Sequence, residues 1–387
     1  MVMTEKKSAR RGRRSVFRSI ALPLRLAGDF ARFHYLRPML ARPKPLALCL
    51  YVTYKCNMRC TMCGIWKHRD AGPELTLAEF DRVLSDPLFA ELEFININGG
   101  EPNLRPDLPE IADMLARRFP RLGALSLNTN GLPPAKSAAN VRSIARTCQT
   151  QGIDFSVSVS LHGPGRIHDE MVGAKNAFPR VVETLERLKE LQVSLPFFLG
   201  VNCVITQANA DRLEEFHLWC RERKLPVNYT LGEVRGRFYN QGQRRAVEVE
   251  GGRRDRVVEF LRARAAERSP RNHHALRYQV LADMLEHDAR RSLSCHYALG
   301  GAILGARGQL YYCKQSEQIG DCRTESAAEA YFGTANQQYR KRELLEGICP
   351  HCPPNTFNRF ELGHDTVRYV RFLTGTGGRV PSAKARP

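Results

Sequence analysis

From Leu46 onward, short apolar runs alternate with longer amphipathic stretches. The apolar runs are 47–54 (ALCLYVTY), 92–97 (LEFINI), 124–129 (ALSLNT), 153–161 (IDFSVSVSL), 197–205 (FFLGVNCVI) and 227–231 (VNYTL). Their length and residue types predict strands. Between them, 76–86, 107–118, 137–150, 176–192 and 209–223 carry a helical pattern. Thr76 with Glu79 forms a capping-box pattern at the first helix, and Asn209 stands at the start of the last. Strands separated by helices predict parallel β/α units. Right-handed crossovers curl six of them into an α/β fold, a partial (β/α)6 TIM-like barrel.

The pattern changes after Leu231. Residues 232–252 are rich in Gly and Arg, helices are expected at 253–267 and 274–291, and 293–355 is short-patterned, Gly-rich and dense in cysteine. Ahead of the barrel, 15–36 reads as a basic amphipathic helix with Phe17, Ile20, Leu24, Leu26, Phe30 and Phe33, interrupted by Pro23 and Gly28. Such a segment suits either docking on the protein or an anionic membrane surface. Residues 1–14 and the tail from Gly375 have the composition of disordered segments. The expected organisation is a basic N-terminal segment (1–45), the barrel (46–232), a helical linker (233–292), a small cysteine-rich domain (293–355) and a tail (356–387).

Composition narrows the classes. The 387 residues are 43% hydrophobic and 26% charged, ordinary for a globular protein. No run approaches the roughly 18 apolar residues of a spanning helix. Net charge is +19, but residues 1–45 hold 12 basic and 2 acidic residues, so +10 of it sits in that segment. The twelve cysteines lack a secretory leader ahead of them, which points to a cytoplasmic protein with metal ligands rather than disulfides.

Three of those cysteines, Cys56, Cys60 and Cys63, follow the first strand at spacing C-x3-C-x2-C. Thiolates are soft ligands for iron–sulfur clusters or zinc. Structural zinc wants four ligands, so three local thiols point to a cluster with one open iron. Gly99-Gly100-Glu101-Pro102 ends the second strand. The paired glycines permit a close backbone approach to a ligand, and the Glu101 carboxylate suits an ammonium group. Asn128-Thr129-Asn130-Gly131 ends the third strand and Ser158-Val159-Ser160-Leu161-His162-Gly163 the fourth, at the edge where parallel β/α folds bind ligands.

On these motifs the chain resembles the radical S-adenosylmethionine (radical SAM) superfamily over 46–231. The resemblance implies that Cys56, Cys60 and Cys63 hold a [4Fe-4S] cluster and that SAM chelates its open iron. It places the SAM amino group at Gly99, Gly100, Glu101 and Pro102. Asn130 and Ser160 fall near the ribose or carboxylate, and Asn202 on the adenine or ribose side. Two positions depart from the family pattern: Met62 replaces an aromatic residue before the third cysteine, and His162 replaces an Asp.

Farther on, Cys295, then Gly308 and Cys313, then the pair Cys349 and Cys352 resemble a twitch/SPASM extension. That resemblance implies an auxiliary [4Fe-4S] cluster held by all four. Cys322 is left over, as a further ligand, a hydrogen-atom donor or a structural thiol. Cys49, Cys148, Cys203 and Cys220 fall within strands and helices as core residues. Tyr229, Arg235, Arg237, Tyr239 and Asn240, in or just past the last barrel strand, are candidates for contact with an anionic or sugar-like substrate, or else a solvated linker with packing aromatics.

The function implied is that of a radical SAM oxidoreductase. It cleaves SAM to a 5′-deoxyadenosyl radical that takes a hydrogen atom from a small natural-product, sugar-like or cofactor-precursor substrate, with dehydrogenation favoured. Alternatives are an epimerase or rearrangement enzyme, or one acting on a membrane lipid. Implied partners are a flavodoxin- or ferredoxin-type electron donor and peripheral contact with an anionic membrane, without nucleic acid. A zinc protein gripping nucleic acid through its basic tail is the rival from another class.

Overall fold

The apolar run after Leu46 forms strand β1 (Ala47–Thr53), buried along its whole length in the computed structural model, which describes residues 24, 26–68, 72–234, 240–269, 272 and 274–375. Strands β2 (Phe94–Gly99), β3 (Ala124–Thr129), β4 (Asp154–Ser160), β5 (Phe198–Ile205) and β6 (Val227–Leu231) follow, each parallel to and beside its predecessor. The crossovers carry α1 (Leu77–Val83), α2 (Leu108–Arg118), α3 (Pro134–Gln151), the pair α4 (Arg166–Val172) and α5 (Ala177–Gln192), and α6 (Leu213–Glu222). The Thr76–Glu79 capping box is present at α1.

Side-chain alternation along these strands explains both the core and the interior. Ile95, Ile97, Leu125, Leu127, Val157 and Val159 are buried in the layer shared with the helices. The alternate positions of β2, β3 and β4 are Asn96, Asn98, Ser126, Asn128, Ser156, Ser158 and Ser160. These polar residues lie on the opposite face, and Asn96 Nδ2 donates to Ser126 Oγ at 2.6 Å across neighbouring strands. Successive side chains of a strand point to opposite faces, so the barrel interior is lined with carboxamides and hydroxyls.

The small cysteine-rich unit shares the barrel's sheet. Strand β7 (Gly301–Leu304) pairs in parallel with the free edge of β1, and β8 (Gln309–Tyr311) and β9 (Gly320–Asp321) continue antiparallel from it. The nine strands run β6-β5-β4-β3-β2-β1-β7-β8-β9. Helices α7 (Gly252–Ala266) and α8 (His274–His287) pack beside β6, with Phe260 edge-on to Tyr229 at 4.8 Å. Two C-terminal helices, Arg359–His364 and Thr366–Thr374, close the chain.

Several boundaries differ from the sequence expectation, and three of them have a visible cause or consequence. Strand β2 starts two residues later, because Glu93 N and Phe94 N both turn to the carbonyl of Leu46 before the ladder begins. Helix α8 stops at His287. Asn209 does not cap α6. Its carboxamide accepts from Thr206 N and donates to the carbonyls of His162 and Val204, tying the ends of β4 and β5 together. The first part of the expected N-terminal helix and the tails 1–14 and 376–387 lie outside the described residues. Among the described residues no helix is long and apolar enough to cross a membrane.

Candidate active site

The cysteine loop is clamped from several sides. Glu74 accepts from Thr53 Oγ1 (3.0 Å) and Tyr54 N (2.6 Å), fixing where β1 hands over to the loop. Arg59 N donates to Val172 O and Thr61 N to Met171 O, which ties the loop to α4. The Arg59 guanidinium donates to the carbonyls of Cys56 and Met58 and lies 4.6 Å over the Trp66 ring, whose indole N–H donates to Cys63 O. Asn240, in turn, donates to Met62 O. A loop held this way presents its three thiols without needing regular structure.

Those thiols fit the group the motif implies. Burial, then the neighbouring thiols Cys63 and Cys56, push Cys60 well above the usual thiol range, so the three lie close enough to repel as thiolates. Burial likewise drives Cys56 up to about 11 and raises Cys63. Loading a cluster must therefore displace protons. Among the described residues no three His, Cys, Asp or Glu side chains converge as they would on a single metal ion. Cluster ligands attach to separate irons and need no such convergence.

The GGEP segment is held by the chain's own contacts. What the glycines approach is the chain itself. Gly100 N donates to Thr53 O and Glu101 N to Lys55 O, both at 2.8 Å. A Cβ on Gly99 would meet Thr53 O at 2.3 Å, and one on Gly100 would meet Lys55 O at 2.2 Å. Glu101 points inward, fully buried. Its Oε1 accepts from Asn103 N, Asn103 Nδ2 and Thr129 Oγ1, and its Oε2 accepts from Asn130 N. Burial pushes its pKa up to about 7 even against those four donors. The carboxylate therefore organises the ends of β2 and β3, and Pro102 starts the 3-10 turn beneath it. Gly100→Ala is expected to displace Lys55 and leave the protein folded but with less than half the wild-type iron after anaerobic reconstitution; normal iron content would disprove this coupling.

Asn130 is where the loop and the strand ends meet. Its Nδ2 donates to Asn57 Oδ1 at 2.7 Å and lies 3.9 Å from Cys56 Sγ. Ser160 and Asn202 are register partners on β4 and β5, both half-buried. Behind Asn202 runs a directed chain that sequence reasoning missed. Arg277 on α8 is fully buried and donates from Nη2 to Asn228 Oδ1 at 2.6 Å, and Asn228 Nδ2 donates to Asn202 Oδ1 at 2.9 Å. A guanidinium can only donate, so each carboxamide's orientation is fixed in turn, and Asn202 is left with its Nδ2 hydrogens to offer.

His162 is structural. Its ring Nδ1 accepts from Val204 N, its backbone N–H donates to His168 Nδ1, and burial followed by His168 lowers its pKa to about 3, keeping it neutral. Tyr229 is packed among Phe260, Tyr278 and His217 rather than at the mouth, and Asn240 is buried holding Met62 and Glu233. Arg235, Arg237 and Tyr239 lie outside the described residues.

The second cysteine set lines one pocket of about 690 Å³, counting its open mouth. Cys295, Cys313, Cys349 and Cys352 all face it, together with Glu233, Arg291 and Arg340. Burial, then Cys295 and Cys313, raise Cys349 to about 11, which again marks thiols close together. Glu361, fully buried, anchors this corner by accepting from His296 N and Nδ1 beside Cys295. Glu233 Oε2 accepts from Gln315 Nε2 at 3.0 Å, and its Oε1 accepts from Asn355, joining the end of β6 to the cysteine-rich unit. Cys322 is elsewhere. It is buried in the main core, bonds through its N–H to Gly308 O, and burial followed by Asp86 pushes its thiol up to about 12. Cys49, Cys148, Cys203 and Cys220 are core residues as expected.

A three-thiol loop follows the first strand of the parallel sheet, and a four-thiol pocket lies in the cysteine-rich unit. Residues 50–220 match the Radical SAM superfamily. The chain is 28% identical over 248 residues to pre-heme d1 synthase of Dinoroseobacter shibae (63% of this chain, 57% of that protein). It is 30% identical over 227 residues to GTP 3',8-cyclase of Tolumonas auensis (56% and 59%), and 26% identical over 172 residues to mycofactocin maturase MftC of Mycolicibacterium smegmatis (44% and 41%). The match thus spans about half the length of these relatives. Streptococcus suis SuiB bound to precursor peptide SuiA superposes with TM-score 0.55 at 13% identity (81% of this chain, 72% of that one). The anSMEcpe protein with bound AdoMet superposes with 0.51 at 15% (86% and 100%). These two likenesses establish the fold. A [4Fe-4S] cluster and SAM are the cofactors of the superfamily.

Proposed function

We propose that this protein dehydrogenates a small hydroxylated or amine-bearing molecule of the natural-product, sugar-like or cofactor-precursor kind. Cys56, Cys60 and Cys63 hold the SAM-binding cluster, and Cys295, Cys313, Cys349 and Cys352 hold the auxiliary one. Loaded there, the first cluster would supply the electron for reductive cleavage of SAM, and the second would accept the electron that the substrate gives up, with loss of a proton, as it is oxidised. The chain's own residues do the rest. Glu101 holds Asn130 and the strand ends in place, Asn202 offers Nδ2 donors to the nucleoside, and Asn130 orders the loop through Asn57.

The observation that carries oxidation over quenching is one small apolar cluster. Tyr51, Tyr54, Tyr297 and Ile303 pack together, with Cys63 from the first set and Cys295 and Cys313 from the second against them. Electrons tunnel readily only between nearby centres, and these two share a wall. Cys322, set in the core, is poorly placed to return a hydrogen atom to a substrate radical, which weighs against epimerisation. A flavodoxin- or ferredoxin-type donor and an anionic membrane surface are the partners in this reading.

The test is anaerobic reconstitution with a strong reductant and SAM, followed by a screen of small molecules for those that raise 5′-deoxyadenosine output. One oxidised product per deoxyadenosine supports dehydrogenation; a substrate recovered as its epimer or isomer refutes it. Arg277→Met releases the Asn228–Asn202 chain and is expected to weaken SAM binding roughly tenfold, about one lost hydrogen bond's worth. SAM titration of the reduced cluster's paramagnetic resonance spectrum reads that shift, and an unchanged titration removes Arg277 from cofactor positioning.

A further inference from the structure

The pocket that gathers the second cysteine set is lined by four charged side chains, Glu233, Arg291, Lys314 and Arg340. Three are cations and one is a carboxylate, so positive charge is in excess around the thiols. Two of the cations are held in place by the backbone that carries the cysteines. Arg291 donates from Nε to Leu293 O at 2.7 Å and from Nη2 to Ser294 O, and its backbone N–H donates to Pro350 O at 2.7 Å. Leu293 and Ser294 lead into Cys295, and Pro350 stands between Cys349 and Cys352. One arginine thus spans both halves of the set.

Arg340 begins the π-helix that ends at Ile348, just before Cys349. Its Nη2 donates to Tyr297 O at 3.3 Å and Ala298 O at 3.1 Å, two and three residues past Cys295. Its guanidinium lies 5.1 Å over the ring of Tyr312, the residue before Cys313. All of these side-chain bonds end on neutral carbonyls, so they fix the two guanidiniums without cancelling their charge. Burial, then Cys295 and Cys313, raise the Cys349 thiol, and Arg291 and Arg340 act against that rise, which puts both charges within its field. Glu233 opposes them, but its carboxylate already accepts from Gln315 and Asn355.

A cluster held by four thiolates becomes more negative by one charge when it takes an electron, and its potential follows the charge and exposure of its surroundings. Fixed cations in a partly buried wall favour the more negative form. A guanidinium keeps its charge throughout the pH range of a folded protein.

We propose that Arg291 and Arg340 set the reduction potential of the auxiliary cluster, holding it up so that the cluster takes the electron released by the substrate. This rests on the four-thiol assignment of the proposed function and goes beyond it, because the two residues named bind no iron. The substrate radical loses one proton to water and one electron to the cluster, and the flavodoxin- or ferredoxin-type carrier takes that electron on. Both arginines act through the cluster they surround and exchange neither protons nor electrons.

The experiment is a redox titration of the reconstituted full-length protein, read by the paramagnetic resonance of its reduced clusters. Added SAM shifts the spectrum of the first cluster and leaves that of the second, which separates the two. Arg291→Met and Arg340→Met are each expected to lower the auxiliary midpoint so that the reduced fraction falls about tenfold relative to the oxidised one, about 59 mV for one electron. The midpoint of the first cluster is expected to stay where it is, and Arg340→Lys, which keeps the charge, to leave the auxiliary midpoint close to wild type. An unmoved midpoint in either methionine variant that carries about eight irons per chain overturns the inference and leaves the four-thiol assignment standing. A drop in Arg340→Lys equal to that in Arg340→Met overturns it too, because packing and not charge would then be the cause. Loss of the second cluster from both methionine variants assigns the pair to anchoring and likewise overturns it. Wild type with only about four irons refutes the four-thiol assignment itself, and the inference falls with it.

Discussion

Cys60→Ala abolishes formation of 5′-deoxyadenosine and lowers bound iron by about four atoms per chain, the content of one cubane. The expectation follows from the loop's construction. Cys60 lies between Arg59 and Thr61, whose backbone N–H groups are both tied to α4, so no neighbouring residue can slide into its place. Water could replace the lost thiolate only at a second open iron, which leaves a cluster exposed to loss. Chromatography of the quenched reaction and a colorimetric iron assay read the two effects. Cleavage at the wild-type rate would refute the assignment of the first cluster.

Cys349→Ala has the second largest effect and the opposite signature. It removes about four irons as well, but SAM cleavage continues while oxidised product disappears. Cys349 sits where the π-helix Arg340–Ile348 gives way to the 3-10 turn Cys349–His351, so its position depends on backbone that is irregular on both sides. Arg340 steadies that approach, donating to the carbonyls of Tyr297 and Ala298 and lying 5.1 Å over Tyr312. Product formed normally by this variant, or iron content equal to wild type, would refute the four-thiol assignment.

The order of the six barrel strands was legible because it depends on local pattern, period-two apolar runs and capping residues, whereas the four later cysteines were grouped by a family resemblance and line one pocket. What escaped the sequence is what depends on distant partners. Glu101 looked like an open carboxylate in a turn, since nothing local reveals that Asn103, Thr129 and Asn130 converge on it. Arg277 reads as one more polar residue on a helix, yet it alone sets the direction of two carboxamides on other strands. Glu74 and Asn57, which hold the cysteine loop, carry no motif of their own. Asn57 does lie inside the C-x3-C spacing, and that position was the available hint. Cys322 was singled out by type, but reactivity follows surroundings, and its surroundings are core.

The pairing of β7 with β1 has a practical meaning for anyone dissecting the molecule. Strand β1 is apolar and covered from end to end, and its second edge is satisfied only by residues more than two hundred positions away. A fragment trimmed to the barrel alone would carry an open, sticky ribbon of unpaired amides at the very strand that leads into the cysteine loop, and bare edges of that kind recruit their own copies. The catalytic half is thus not a separable cassette: cut free, it would be drawn toward fibrils or precipitate before it could be loaded with iron.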